Sequence, residues 1–282
     1  MEPTDAPPRR SVHDVIDAVL PVLLVLAGFL HPESPWLWFQ SLAAGFGGVA
    51  GLVLGGAAVA HVLSKRFGQR IQGPRARPAP VGREAFETAR CMFVVACLLA
   101  WPLTRWRLGH PLGLTWTLSE STGGAARVIL QTLAGILVLD AWLYWKHRLL
   151  HTRWMFGFHK AHHAFRDPTP FAGFAVAPVE ALLTFWPLLL VGIPEATHWG
   201  PLYFPVIGGF VVLNYYLHCG VTLRWVEATL PRVFLNTSAF HNVHHARANT
   251  HFGEALSLWD TICGTRIDRP SAGAPELRGE RV

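Results

Sequence analysis

The stretch VILQTLAGILVLDAWLYWKHRLLHTRWMFGFHKAHH, Val128 to His163, decides the reading of this chain. From Val128 to Trp145 it is almost wholly apolar, close to the roughly 20 residues that a helix needs to cross a bilayer. The run ends directly in HRLLH (His147, His151), and seven residues later comes HKAHH (His159, His162, His163). A third box, HNVHH (His241, His244, His245), follows, and His218 lies between in LNYYLHCG. Imidazole is the commonest nitrogen ligand for iron, zinc and copper. A helix places positions i, i+3 and i+4 on one face, so each box can aim two or three ring nitrogens at one point. Eight imidazoles exceed what one tetrahedral ion can use and fit two metal ions with a coordination position left open.

Working outward, the 282-residue chain is 51% hydrophobic and only 15% charged, which points to an integral membrane protein. Apolar runs occur at about Val15–Leu30, Trp36–Leu63, Cys91–Leu103, Val128–Trp145, Phe174–Ile193 and Leu202–Leu217. The last two form a hairpin around PEATHWG. The expected fold is all-α, a multi-pass transmembrane bundle with a cytoplasmic histidine-rich helical cap. Residues 1–14 are read as a flexible N-terminal tail, 15–127 as N-terminal spans with a basic connector, 128–270 as the histidine-bearing domain and 271–282 as a C-terminal tail. In the second run, Gly45, Gly47, Gly48, Gly51, Gly55 and Gly56 predict close helix packing.

Loop charge sets the orientation. The connector Ser64–Arg90 holds seven Lys/Arg and is assigned to the cytoplasm, whereas the 105–127 loop holds three. Counting spans from there brings all three boxes and His218 to the cytoplasmic side. The net charge of +6 comes mostly from loop arginines and is read as anchoring to anionic lipid, not as a nucleic-acid surface. Cys91, Cys97, Cys219 and Cys263 form no C-x-x-C pair, so no zinc knuckle or redox dithiol is indicated; Cys219, beside His218, reads chiefly as a packing residue.

Several residues are candidates for orienting the imidazoles from behind: Asp140, Asp167, Glu180 and Asp260. For Asp167, helix capping or pairing with Arg148, Arg153 or Arg166 is an equal alternative. His251 is a candidate ligand or orienting donor, and Asn214, one turn before His218, a candidate holder of a metal-bound water. The isolated His13, His31, His61, His110 and His198 read as hydrogen-bonded histidines. Phe158, Phe165, Phe171, Phe174, Trp186 and Tyr215 line a lipid route or simply pack. Ligand type alone does not choose among iron, zinc and copper. The residues also leave open a metal transporter or a membrane protein with a structural metal.

HRLLH, FHKAHH and HNVHH in this order after several spans, with PTPFAGFAVAPVEALL, HCG at 218–220 and LWDTICGT, resemble the fatty acid hydroxylase / sterol desaturase superfamily. The resemblance covers roughly Asp140 to Thr265. It implies two iron ions, with zinc a possible substitute in purified protein, held by His147, His151, His159, His162, His163, His218, His241, His244 and His245. It further implies O₂ as co-substrate, hydroxylation or desaturation of a lipid C–H bond, and electrons from a separate reductase or carrier, since the chain has no dinucleotide or haem-attachment motif. Many relatives carry a histidine where this chain has Ala177, before Pro178, so the full ligand count is the point of departure. The oligomeric state is not encoded in these features.

Overall fold

The computed structural model describes residues 11–75, 78–118 and 124–267. The tails at 1–10 and 271–282, together with Arg77 of the connector and Gly123, lie outside the described residues. Helix α1 (Val12–Gly28) opens on Ser11, whose side chain and that of Asp14 cap each other's backbone. Helix α2 (Pro35–Phe67) starts at Ser34 with proline in its first turn, and α3 runs Val81–Arg107. Helix α4 (Gly124–Leu150) carries the first box at its end. Then come α5 (Phe156–His163), a 3₁₀ turn at Pro170–Phe174, α6 (Pro178–Phe185) and a second 3₁₀ stretch, Trp186–Gly192. Helix α7 (Gly200–Leu217) leads to His218, and the chain closes with α8 (Arg224–Thr229), α9 (Ser238–Arg247) and α10 (Leu258–Ile262).

Helices α2, α3, α4 and α7 are long and apolar enough to cross a membrane. They also turn large apolar side chains outward, among them Leu52, Val62, Leu130, Val138 and Val212, each more than 60% exposed. Such a surface is stable against lipid and not against water. The protein is a helical membrane protein.

Three expectations need correction. Helix α3 begins at Val81, ten residues before the apolar run, because charged residues do not interrupt a helix; Glu87 and Arg90 pair along it at 2.8 Å. The run at Phe174–Ile193 is not one spanning helix. It is a 3₁₀ turn, an eight-residue α-helix and another 3₁₀ stretch, with Pro178 and Pro187 each in the first turn of its segment, where a missing N–H costs least. The glycines of α2 are mostly not a packing seam. A side chain at Gly47, Gly48, Gly51 or Gly55 would meet nothing within 4 Å, and only Gly56 allows a close approach, to the Tyr215 ring of α7.

Strand-like pairs tie the loops at each end. Gln69–Arg70 (β1) lies antiparallel to Val221–Thr222 (β4), and Leu114–Thr115 (β2) lies parallel to His198–Trp199 (β3). At the β1–β4 end, Arg75 donates to Asp167 at 2.7 Å and Arg70 joins the same carboxylate. The basic connector is therefore fastened to the segment just after the second histidine box, and both lie at the end of the bundle where α4 and α7 finish.

Candidate metal centre

All nine clustered histidines meet at this end, in two adjoining groups. His147, His151, His159, His163 and His244 form one; His162, His218, His241 and His245 form the other. Within each, the candidate ligand atoms all lie within 4.8 Å of one another. The His163 and His245 ring centroids, one from each group, are 4.8 Å apart.

The boxes do not each serve one point, contrary to the expectation from spacing. Only HRLLH delivers both rings to the same group. Residues i and i+4 diverge by about 40° around a helix, whereas neighbours diverge by about 100°. His159 and His163 of α5 therefore go together and His162 crosses to the other group. On α9, His241 and His245 stay together and His244 crosses. Each short helix thus straddles both groups, and His218 completes the four-ring one.

Counting protons shows why the rings fit metal. His147 Nδ1 donates to the Phe252 carbonyl at 2.9 Å, His244 Nδ1 to the Thr250 carbonyl at 2.7 Å and His218 Nδ1 to the Asn214 carbonyl at 3.0 Å. His159 Nδ1 pairs with the Glu180 carboxylate at 2.7 Å. A neutral imidazole has one N–H, so these four rings present bare Nε2 lone pairs to the interior. His163 Nε2 lies 3.1 Å from the Nε2 atoms of both His151 and His159 and 3.2 Å from that of His244. One proton at most cannot satisfy three such contacts. In the other group, His218 Nε2 lies 3.2 Å from His162 Nε2 and 2.9 Å from His241 Nε2. His147 Nε2 is buried with no hydrogen-bond partner. Converging lone pairs are costly without a cation, and nitrogen ligands near 90° apart on one ion with bonds of about 2.1 Å sit about 3 Å from each other.

The electrostatics agree. Burial first, then the neighbouring imidazoles, holds His159, His162, His241, His244 and His245 well below the ordinary histidine pKa. Burial followed by His163 and Lys146 brings His151 to about 3, and burial followed by His218 brings His163 to about 4. Burial also takes His218 to about 4, against the Asn214 carbonyl, which raises it. The rings stay neutral, the form that binds metal.

A cavity of about 40 Å³ opens beside the two groups, with Phe174, Phe185, Phe210 and Leu217 on its apolar side. Its polar side includes Lys146 and Glu254, paired at 2.5 Å, a feature absent from the sequence reading. The signal was available: a lysine inside an apolar helix, next to His147, needs a partner. The three orienting backbone carbonyls carry no sequence signal at all.

Other candidates fall differently. His251 is outside both groups; its Nδ1 faces the Phe240 carbonyl at 3.1 Å, its Nε2 accepts from Ile267 N at 3.0 Å, and its ring stacks on Phe240. Both ring nitrogens are thus engaged away from the site. Asn214 acts through its main chain on His218, while its amide nitrogen donates to the Gly173 carbonyl at 2.7 Å. Asp140 touches no histidine; it accepts from Leu256 N and Trp259 Nε1. Asp260 accepts from the backbone N–H groups of Phe252 and Gly253 and so fixes the loop whose carbonyl orients His147. Asp167 takes connector arginines, not Arg148, Arg153 or Arg166. Of the six aromatic candidates only Phe174 lines the cavity. Cys219 donates its thiol to the Val221 carbonyl. Ala177 is the N-cap position of α6, and the two groups assemble without it.

Two adjoining histidine groups that could each hold a metal ion, at one end of a membrane-helix bundle, define a narrow class of protein. Residues 132–265 match the fatty acid hydroxylase family, and this region of the chain is a domain of the fatty acid hydroxylase / sterol desaturase superfamily. Among curated relatives, lathosterol oxidase of Rattus norvegicus is 29% identical over 157 residues, 52% of this chain and 48% of the relative. The Homo sapiens lathosterol oxidase is 29% identical over 155 residues, with the same coverage. The Delta(7)-sterol 5(6)-desaturase of Candida dubliniensis is 31% identical over 162 residues, 54% of this chain and 38% of the relative. The match thus spans about half the length of these relatives or less. No solved structure matches the chain.

Proposed function

We propose that this protein is a membrane-bound di-iron oxidoreductase that uses O₂ to hydroxylate or desaturate a C–H bond of a lipid, such as a sterol or a fatty acyl chain. The carrying observation is the convergence of nine imidazoles, four with their Nδ1 protons committed outward, beside a cavity with an apolar wall. The names of the relatives, a sterol oxidase and a sterol desaturase, favour a sterol.

His147, His151, His159, His163 and His244 would hold one iron; His162, His218, His241 and His245 would hold the other. Bound iron supplies O₂ reduction and attack on an unactivated C–H bond, with two electrons from a separate reductase or carrier. The chain's own residues do the positioning. Glu180 and the carbonyls of Phe252, Thr250 and Asn214 fix the tautomers and keep each inward nitrogen free to bind. Phe174, Phe185 and Phe210 make one wall of the cavity apolar. At about 40 Å³ it accommodates a water- or O₂-sized molecule, so a lipid enters only when these rings turn aside. The connector's arginines favour the cytoplasmic side for this end of the bundle.

The test is metal analysis of protein expressed in iron-replete cells, followed by turnover with a reductant and lipid extract. Two irons per chain are expected, with a lipid product that has gained one oxygen atom or lost two hydrogens. Less than about one metal per chain would overturn the proposal. So would metal flux into vesicles without any lipid product, which marks a transporter.

A further inference from the structure

Beside the metal end, α2 changes character within one turn. Leu63 is apolar and half-exposed, Ser64 follows, and Lys65 and Arg66 begin the basic connector. Two cavities meet at this step. One, of about 740 Å³, is an apolar groove between the ends of α2 and α7, lined among others by Leu63, Phe67, Val212, Tyr216 and Trp225. The other, of about 140 Å³, is lined by His61, Lys65, Arg70, Arg75 and Thr169. Ser64, Cys219 and Val221 line both. The groove is therefore continuous with a basic pocket.

The charges in that pocket do not cancel. Arg70 and Arg75 share the carboxylate of Asp167, and buried Glu84 is occupied by Thr169, which donates to it through both backbone and side chain. Among the described residues no carboxylate pairs with Lys65. Three cations thus face one carboxylate engaged in the ion pair and one engaged with Thr169, leaving an excess of positive charge. The groove beside it exposes Phe67, Val212 and Trp225 at 65%, 65% and 69%. An amphipathic molecule with an anionic head and an apolar tail matches both cavities at once. The position fits as well: the apolar-to-basic step on α2 and the indole of Trp225 mark the level where headgroups meet acyl chains.

We propose that this composite site binds one anionic glycerophospholipid of the surrounding leaflet, its phosphate in the basic pocket at Lys65 and an acyl chain in the groove between α2 and α7. It is separate from the metal-facing cavity, with which it shares no lining residue, so occupancy does not depend on metal. It adds a resident lipid to the chain's lipid chemistry and stands whether or not the oxidoreductase reading does.

The experiment is native mass spectrometry of the full-length protein, released from nanodiscs of phosphatidylcholine containing a minor fraction of phosphatidylglycerol. Wild-type protein is expected to retain one phosphatidylglycerol per chain, enriched about tenfold over its share of the bilayer. K65E, on an exposed side chain, is expected to lose the enrichment through charge reversal. V212W is expected to lose retention of either lipid by filling the groove. Both variants should keep wild-type metal content and thermal unfolding, which separates lipid loss from misfolding and from failure of the metal reading. Retention in both variants at the wild-type level would overturn the site. Full displacement of the lipid by millimolar inorganic phosphate would also overturn it, marking a phosphate pocket in which the groove plays no part.

Discussion

The two histidine groups share their helices and differ in how they are held. In the five-ring group, His147, His159 and His244 each have a defined acceptor for the outward proton, one of them the Glu180 carboxylate. In the four-ring group only His218 has one. The Nδ1 atoms of His241 and His245 are buried without a hydrogen-bond partner, and that of His162 reaches no acceptor in hydrogen-bond geometry. Such outward bonds fix ring orientation and raise ligand basicity. The contrast teaches that one helix can present rings to a well-supported group and to a less supported one, because support comes from the loops behind each ring and not from the box itself.

Removing a ring is the harshest way to probe this difference. His244→Ala should lower metal content by about one ion per chain and cut turnover by more than about 100-fold, since losing a ligand exceeds the 10–100-fold effect of losing a supporting bond. Elemental analysis beside product formation measures both, and full activity in this variant would refute the ligand role. Glu180→Ala should weaken only the five-ring ion, by about 10–100-fold in a chelator titration, and so bring the two sites closer in affinity. In unmutated protein the same titration should show two steps, the four-ring ion leaving first at roughly tenfold lower chelator. A single concerted step would erase the distinction.

Acid provides a subtler test. In the metal-free fold, His151, His163 and His218 take up protons only near pH 3 to 4, whereas the ordinary value is 6.5. The unfolded chain therefore binds protons first as pH falls. Stability from these neutral rings is complete above about 6.5 and declines towards 4. Thermal unfolding of chelated protein should follow that window and flatten above it, while metal-loaded protein resists longer because protons must compete with the ion. The smallest effect is expected from α1. Asp17 accepts from the Val179 backbone at 2.9 Å, one residue before Glu180. Asp17→Asn should weaken the five-ring ion by a few-fold, roughly at or below the lower edge of supporting-bond effects, and leave the four-ring ion unchanged.

Much of this site was legible in the chain. The boxes, their order and their attachment to apolar runs gave the metal reading and the membrane class, because side-chain type and helical period are local properties. Glu180 was among the candidate carboxylates for the same reason. His251 is a candidate by type and proximity, but its backbone at φ 57° and its stacking on Phe240 turn it away. Lys146 was visible as an odd charge, but its partner Glu254 lies 108 residues on. The break at Pro187 and the start of α3 at Val81 leave no mark in hydropathy, which follows burial and lipid contact and not helix boundaries.

What the sequence by itself determined is the inventory: nine clustered imidazoles, membrane-length apolar helices and a basic connector beside them. Only the tertiary structure decided how the rings divide five and four, which rings have their tautomer fixed, and that the connector closes against Asp167 and Val221 at the same end. The physical reason is that helical spacing sets the directions in which neighbouring rings diverge. The partners those rings meet are backbone carbonyls and distant side chains, brought near only when the helices pack.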